Sequence, residues 1–366
     1  MGTVTQQELD RRYGLIRDAM AAHQLDALVV AGSEYTGFEG AVTYLSGFQI
    51  VHRYAYVLLL REGAPSIVFP AEARYVGEHG TSLIDDQVFA DRPGEWLGDR
   101  LKGERVGVYG LDYVLTVRDF VAIQDKVGEL VPFDVEFDLA RAVKSDFEVE
   151  SVRDSVRINT EGFWKFLAAY APGRSAGEAL APAEELFVER GCGRLTMNMV
   201  LIGPEFAIAR SDMQLDDFCI PSLEIAGPGG HWVEVSRAIG KTNAEVARMV
   251  EAYEEYYDAA KTAMKPGATA HDVHRAVSKG FTDRGYHLGH VTGHSIGMTM
   301  IEHPKIGEGI DTELRENMVF SMHPHVIAEN GRDCLYMQDT WLVSADGGQP
   351  LADLPMRVFD GSERPT

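Results

Sequence analysis

Gly289-His290-Val291-Thr292-Gly293-His294-Ser295-Ile296-Gly297, read together with Met318-Val319-Phe320-Ser321-Met322-His323-Pro324-His325, decides the fold. A histidine framed by glycines is held close to backbone, because a residue without Cβ permits close approach. That setting suits a ligand or a proton carrier. The second segment reads as a buried strand over 318–322 ending in a His-Pro-His corner, where proline interrupts sheet pairing and side chains leave the sheet for a cavity. Two imidazole-bearing corners are thereby offered to one site.

Working outward, 366 residues at roughly 150 per domain predict two domains, each with its own core. No apolar run approaches the ~20 residues that a membrane span needs, and residues 1–12 are polar, so a soluble, cytoplasmic chain is expected. Cys192, Cys219 and Cys334 are scattered, odd in number and without metal-type spacing, which reads as free thiols. A net charge of -22 repels phosphate backbones and anionic lipid surfaces. Nucleic acid and membrane are therefore excluded as partners, and a small-molecule substrate is expected.

Apolar positions Leu9, Tyr13, Ile16, Ala19 and Met20 recur at helical spacing over 6–23, and 25–30 then reads as a strand. Residues 42–48 lead to a long strand over 54–60, and Arg61-Glu62-Gly63-Ala64 supplies turn chemistry before a strand at 66–69, which makes a hairpin within a mixed sheet. A short strand at 106–109 precedes a helix over 119–127. The domain boundary falls near 138–146. Beyond it, helices are expected over 148–170, 176–190 and 242–264, with a Lys265-Pro266-Gly267 stop and a new helix from His271. Val233 and Val235 alternate with Glu234 and Ser236, as in a strand with one apolar face.

Gly293-His294-Ser295-Ile296-Gly297, then Glu302, Pro304 and Ile306, then Asn317-Met318-Val319 with Pro324, resemble the C-terminal half of the pita-bread family that includes methionine aminopeptidase, aminopeptidase P, prolidase and creatinase. The Leu25–Val30 strand, the Tyr44-Leu45-Ser46-Gly47-Phe48 turn and the Val143-Lys144-Ser145 junction resemble the N-terminal domain of creatinase and aminopeptidase P relatives. The resemblance implies an α/β chain: a creatinase-type α/β domain over 1–142 and a pita-bread α+β catalytic domain over 143–366. It also implies a homodimer in which the N-terminal domain of one subunit closes its partner's active site, with His52-Arg53-Tyr54 at the relevant strand entry.

In the peptidases of that family two Asp, one His and two Glu bind two metal ions. His294 falls on the ligand His, while His323 and Gln338 stand where the two Glu are expected. Glu234, three residues before Arg237, falls on the second Asp, and the first falls on Leu223 or Glu224. A two-metal centre needs shared carboxylate oxygens to damp the repulsion of two dications, and these positions supply at most two carboxylates. No metal is therefore expected, although Glu234, His294 and His323 make a reasonable set for one Zn or Fe.

The favoured reading is a creatinase-like, metal-independent hydrolase of a non-peptide C–N bond in a small polar molecule. His294 and His323 would carry protons, with Glu224 and Glu234 as base or nucleophile. Leu223-Glu224-Ile225-Ala226-Gly227 resembles the ectoine hydrolase branch, which gives Glu224 a covalent role. Substrate-binding candidates are His52, Arg53, Arg210, His231, His303 and Gln338. Arg210 lies nearest the position of the creatinase catalytic His, and His303 is displaced beyond the family's second His position, which holds Ile301. The alternatives are a mononuclear-metal Xaa-Pro-type peptidase or lyase, and an inactive module that binds a partner.

Overall fold

The computed structural model describes residues 4–34, 40–50, 52–77, 82–193, 196–202 and 207–363. They sort into two compact units, residues 1–141 with 298–300, and residues 142–297 with 301–366.

The first unit is built on six strands: β1 (Ala27–Ser33), β2 (Tyr54–Leu60), β3 (Ser66–Pro70), β4 (Asp86–Ala90), β5 (Arg105–Tyr109) and β6 (Glu129–Pro132). They lie in the order β4-β3-β2-β1-β5-β6. The pairs β1–β2 and β2–β3 are antiparallel and the outer pairs are parallel, which gives the mixed sheet and hairpin that the turn chemistry predicts. Both faces of β1 are buried, so its sequence is a continuous apolar run rather than an alternating one. Residues expected only as a lead-in to β2 form a helix, Gly40–Ser46, in which every residue is buried. A helix covered all round has no polar stripe, and periodicity cannot reveal it.

The second unit contains β7 (Met199–Ile202), β8 (Ala207–Ile208), β9 (Phe218–Ala226), β10 (Trp232–Ser236), β11 (Ile239–Gly240), β12 (His287–Leu288), β13 (Gly293–Ser295), β14 (Glu302–Ile306), β15 (Val319–Met322), β16 (His325–Ile327), β17 (Cys334–Tyr336), β18 (Asp339–Ser344) and β19 (Gly347–Pro350). One sheet runs β10-β9-β7-β8 with β11 on β9, another runs β14-β13-β15-β18-β19, and β12-β16-β17 form a third. Ser236 and Gln338 bridge the first two sheets through β10 and the start of β18. That seam is where the functional side chains meet.

Helices Ala244–Ala263 and Ala270–Thr282 back this unit, burying Met249, Tyr253, Tyr256, Val273, Val277 and Phe281 against Phe320, Met322, Leu335 and Trp341. The Asp146–Ala169 helix begins two residues earlier than its apolar period suggests, because Ser145 and Glu148 form a reciprocal capping box. No described helix is long and apolar enough to cross a membrane. Cys219 and Cys334 are buried and Cys192 is half-buried.

Candidate metal centre and active site

Strands β9 and β10 pair in a register that sets Glu234 directly opposite Glu224. On a strand, alternate side chains share a face, so Ser222 accompanies Glu224 and Ser236 accompanies Glu234. Thr340 of β18 pins Glu234 from the next sheet: its Oγ1 accepts from the Glu234 N–H at 3.0 Å and donates to the Glu234 carbonyl at 3.1 Å.

The histidines arrive on β13 and β15, which pair His294 with Ser321. Glycine at 293 is required here, since a Cβ would stand 2.4 Å from the Ser321 carbonyl oxygen. His323 follows β15 directly, and its N–H donates to the Thr292 carbonyl at 2.9 Å. Tyr253 holds the corner behind it, donating to the Pro324 carbonyl. One ligand atom each from Glu234, His294 and His323 lies within 4.8 Å of the others, and all three residues are buried.

The chemistry of this trio is specific. His294 Nδ1 lies 2.9 Å from the Ser295 carbonyl, which can only accept, so Nδ1 carries the proton and Nε2 holds a lone pair. That Nε2 stands 3.6 Å from Glu234 Oε1. Both ring nitrogens of His323 are buried without a hydrogen-bond partner among the described residues. Burial holds the His294 imidazolium below its usual range, and burial together with neighbouring His294 and His290 holds His323 well below it. Two neutral imidazoles with available nitrogens beside a carboxylate are the donor set of a borderline divalent ion, so these residues fit one metal. The same burial that lowers the pKa of His323 favours its neutral, ligand form over the proton-carrier role expected of it from sequence.

Glu224 is pushed up to about 8, by burial first and then by the charge of Glu234. Glu234 rises to about 7 through burial, opposed by the Ser321 hydroxyl, which donates to its Oε2 at 2.5 Å. Gln338 lies between them. Its Nε2 donates to Glu224 Oε1 at 3.0 Å and to Glu234 Oε2 at 2.9 Å, while its Oε1 accepts from Ser222 Oγ at 2.5 Å. The Gln338 amide, expected to bind substrate, is therefore committed to protein partners. Four residues around this site have no part in the sequence reading: Ser222, Ser321, Thr340 and Tyr336, whose OH is 2.9 Å from Gln338 Nε2. The period-two rule identifies Ser222, but the others depend on pairing across the seam.

Not every expected residue comes to the trio. His231 is buried with Nδ1 2.8 Å from Ser151 Oγ and Nε2 3.8 Å from Glu148, both on the Asp146–Ala169 helix, so its ring serves the helix rather than a substrate. Arg210 is exposed and forks onto Asp212 at 3.2 and 3.3 Å, a solvated pairing on the surface after β8. His303 is half-buried on β14. His52 and Arg53 belong to the first unit, where His52 Nδ1 lies 3.6 Å from Glu34 and Arg53 lies 3.4 Å from Glu72. His290, His323, His325 and Tyr336 form a further aromatic cluster, with His290 centred 5.1 Å from His323 and 5.5 Å from His325.

Fold and site together define a class, the two-domain pita-bread proteins with a creatinase-type N-terminal domain. The chain belongs to metallopeptidase family M24, whose family model matches residues 150–345, and the Creatinase/Prolidase N-terminal domain model matches residues 12–143. It is 26% identical over 366 residues to the "Probable dipeptidase PepE" of Mycobacterium tuberculosis, covering 95% of this chain and 96% of that protein. The Xaa-Pro dipeptidase of Pyrococcus horikoshii is 21% identical over 352 residues, covering 92% and 95%. Among solved structures, dipeptidase PepE from Mycobacterium ulcerans superposes with a TM-score of 0.80 at 22% identity, covering 98% of this chain and 99% of that one. The prolidase of Pyrococcus horikoshii gives 0.78 at 19%, covering 94% and 98%. Family membership supports hydrolase chemistry on a C–N bond. The relatives are named as peptidases, so they favour the peptidase alternative over the creatinase-like reading.

Proposed function

We propose that the protein is a mononuclear-metal hydrolase that cleaves the C–N bond of a small, dipeptide-like amide. The observation that carries this is the convergence of Glu234, His294 and His323, with the His294 tautomer fixed by Ser295 and both His323 nitrogens unpartnered. Glu234, His294 and His323 would hold a divalent ion, which would supply Lewis acidity and a lowered pKa for attacking water. The protein's own groups supply the rest. Glu224, whose Oε1 is held by Gln338 and Ser222, takes a proton from the attacking water and returns it to the departing nitrogen. The C–O bond forms from water, the C–N bond breaks, and the products are a carboxylic acid and an amine. Glu234 is kept in register for its ligand role by Thr340 and Ser321.

A second reading, metal-independent hydrolysis of a non-peptide C–N bond, draws support from the raised pKa values of Glu224 and Glu234, which let both exchange protons near neutral pH. One experiment separates the two. Chelator-stripped protein is assayed on Xaa-Pro and other dipeptides, with and without one equivalent of Zn, Mn, Co or Fe. Hydrolysis restored by one equivalent is the expected result, and full turnover by stripped protein would overturn the metal reading.

A further inference from the structure

The Gln338 amide joins Glu224 and Glu234 from a position that neither carboxylate could share with a metal ion. It is fully buried, and its nitrogen donates at 3.0 and 2.9 Å to one oxygen of each carboxylate. A cation serving the same two oxygens would sit about 2.0–2.2 Å from each, inside the volume that the NH₂ group fills. The amide is anchored at its oxygen, and the backbone that carries it is fixed. Its oxygen is tied to Ser222 at 2.5 Å, its backbone N–H donates to Ser236 Oγ at 2.7 Å, and its carbonyl accepts from the buried Arg237 at 2.7 Å.

Charge leads to the same place. Four carboxylates and a histidine, the set that the family resemblance implies for two ions, balance two dications. Glu224 and Glu234 with two neutral imidazoles and an amide balance one. A second dication here would be uncompensated in a buried site, where unpaired charge is costly. The residues present therefore fit one ion and do not fit two.

We infer that Gln338 is a positioning residue that stands in for a second cation: its amide bridges the two glutamates, closes the site to a second metal, and keeps Glu224 off the metal and available to substrate. This rests on the one-metal reading above, and the test separates the two.

The full chain is stripped with chelator, titrated with Co(II), and examined for bound ions per chain and for magnetic coupling by electron paramagnetic resonance. Wild type is expected to bind one ion with an uncoupled high-spin spectrum. Gln338→Glu, which replaces the donor by a third carboxylate, is expected to bind a second ion and show coupling. Two coupled ions in wild type would overturn the inference, and that measurement stands even if Gln338→Glu fails to fold. A folded Gln338→Glu that still binds one ion, as wild type does, overturns the bridge and leaves the hydrolase reading intact. No ion in wild type but binding by Gln338→Glu overturns the one-metal hydrolase and upholds the bridge. No ion in either overturns both.

Discussion

The Nε2 atom of His294 faces Oε1 of Glu234 across 3.6 Å, while the other ring nitrogen of His294 is already committed to the Ser295 carbonyl. A lone pair and a carboxylate oxygen repel unless a positive species lies between or beside them. In the bare site a proton on Glu234 relieves the conflict, in keeping with its raised pKa. A divalent ion relieves it better, since His323 joins the same set.

Removing that third ligand tests the arrangement. His323→Gln keeps hydrogen-bonding reach but loses the imidazole nitrogen. It should weaken Zn or Co binding by roughly 100-fold or more and lower turnover by a similar factor at limiting metal. Calorimetry checks the first and dipeptide hydrolysis the second. Unchanged affinity would place the metal elsewhere.

The pH dependence of stability follows from the two glutamates. Their folded-state pKa values, about 8 for Glu224 and about 7 for Glu234, exceed the ordinary carboxyl value. A group raised in this way stabilises most below its unfolded pKa and loses that contribution as pH climbs through the folded one. His294 and His323, shifted the other way, add no slope once pH is above their ordinary value of about 6.5. Between pH 6.5 and 8.5, metal-free protein should therefore lose thermal stability as pH rises. Glu224→Gln should flatten the upper part of that fall, and saturating metal should abolish it. Melting curves at several pH values, with and without chelator, make the check; a rise over the same range would contradict it.

Arg237 organises the seam beside the site. Its guanidinium donates to Asp339 at 2.6 Å and to the carbonyls of Ser236, Gln338, Leu354 and Pro355 at 2.7–3.0 Å, with no exposed surface. Arg237→Met leaves the Asp339 charge buried without its ion-pair partner and should destabilise by roughly 3–5 kcal/mol. Arg237→Met with Asp339→Leu should recover part of the loss. Urea unfolding of the single and double variants measures the coupling, and additivity would show that the pair acts independently.

We propose a homodimer in which His52 or Arg53 completes a partner's site. Support comes from the strand-entry resemblance and from Arg53, which adopts a left-handed φ of 63°, a conformation that a non-glycine residue adopts only when the surroundings hold it there. Sedimentation should give a dimer, and Arg53→Ala should raise KM with little change in bound metal. A monomer at micromolar concentration would remove this proposal.

Local chemistry carries much of the fold. The Ser145/Glu148, Ser175/Glu178 and Thr269/Asp272 boxes start helices at 146, 176 and 270, within two residues of the expected 148, 176 and 271, because a cap is complete within four residues. The Gly40–Ser46 helix escapes the sequence reading, for its burial on every side erases the periodic signal. His294, His323 and Glu234 were legible as a candidate set through the glycine frame, the His-Pro-His corner and the family resemblance. The misplaced residues share one feature. Arg210 pairs with Asp212 on the surface and His231 packs on the Asp146–Ala169 helix, and position along a strand or turn does not say which neighbour a side chain meets.

By itself, then, the sequence determined the two-domain α/β architecture, the identity of the candidate ligands and the shortage of carboxylates for two ions, since each is a matter of residue type and short-range spacing. Only the tertiary structure decided that Gln338 lies between Glu224 and Glu234, that His294 offers Nε2 rather than Nδ1, and that both ring nitrogens of His323 are buried without a partner among the described residues. Each of these depends on register across β9, β10, β13, β15 and β18 and on burial away from water. The Gln338 contacts join residues more than a hundred positions apart, and no local pattern encodes them.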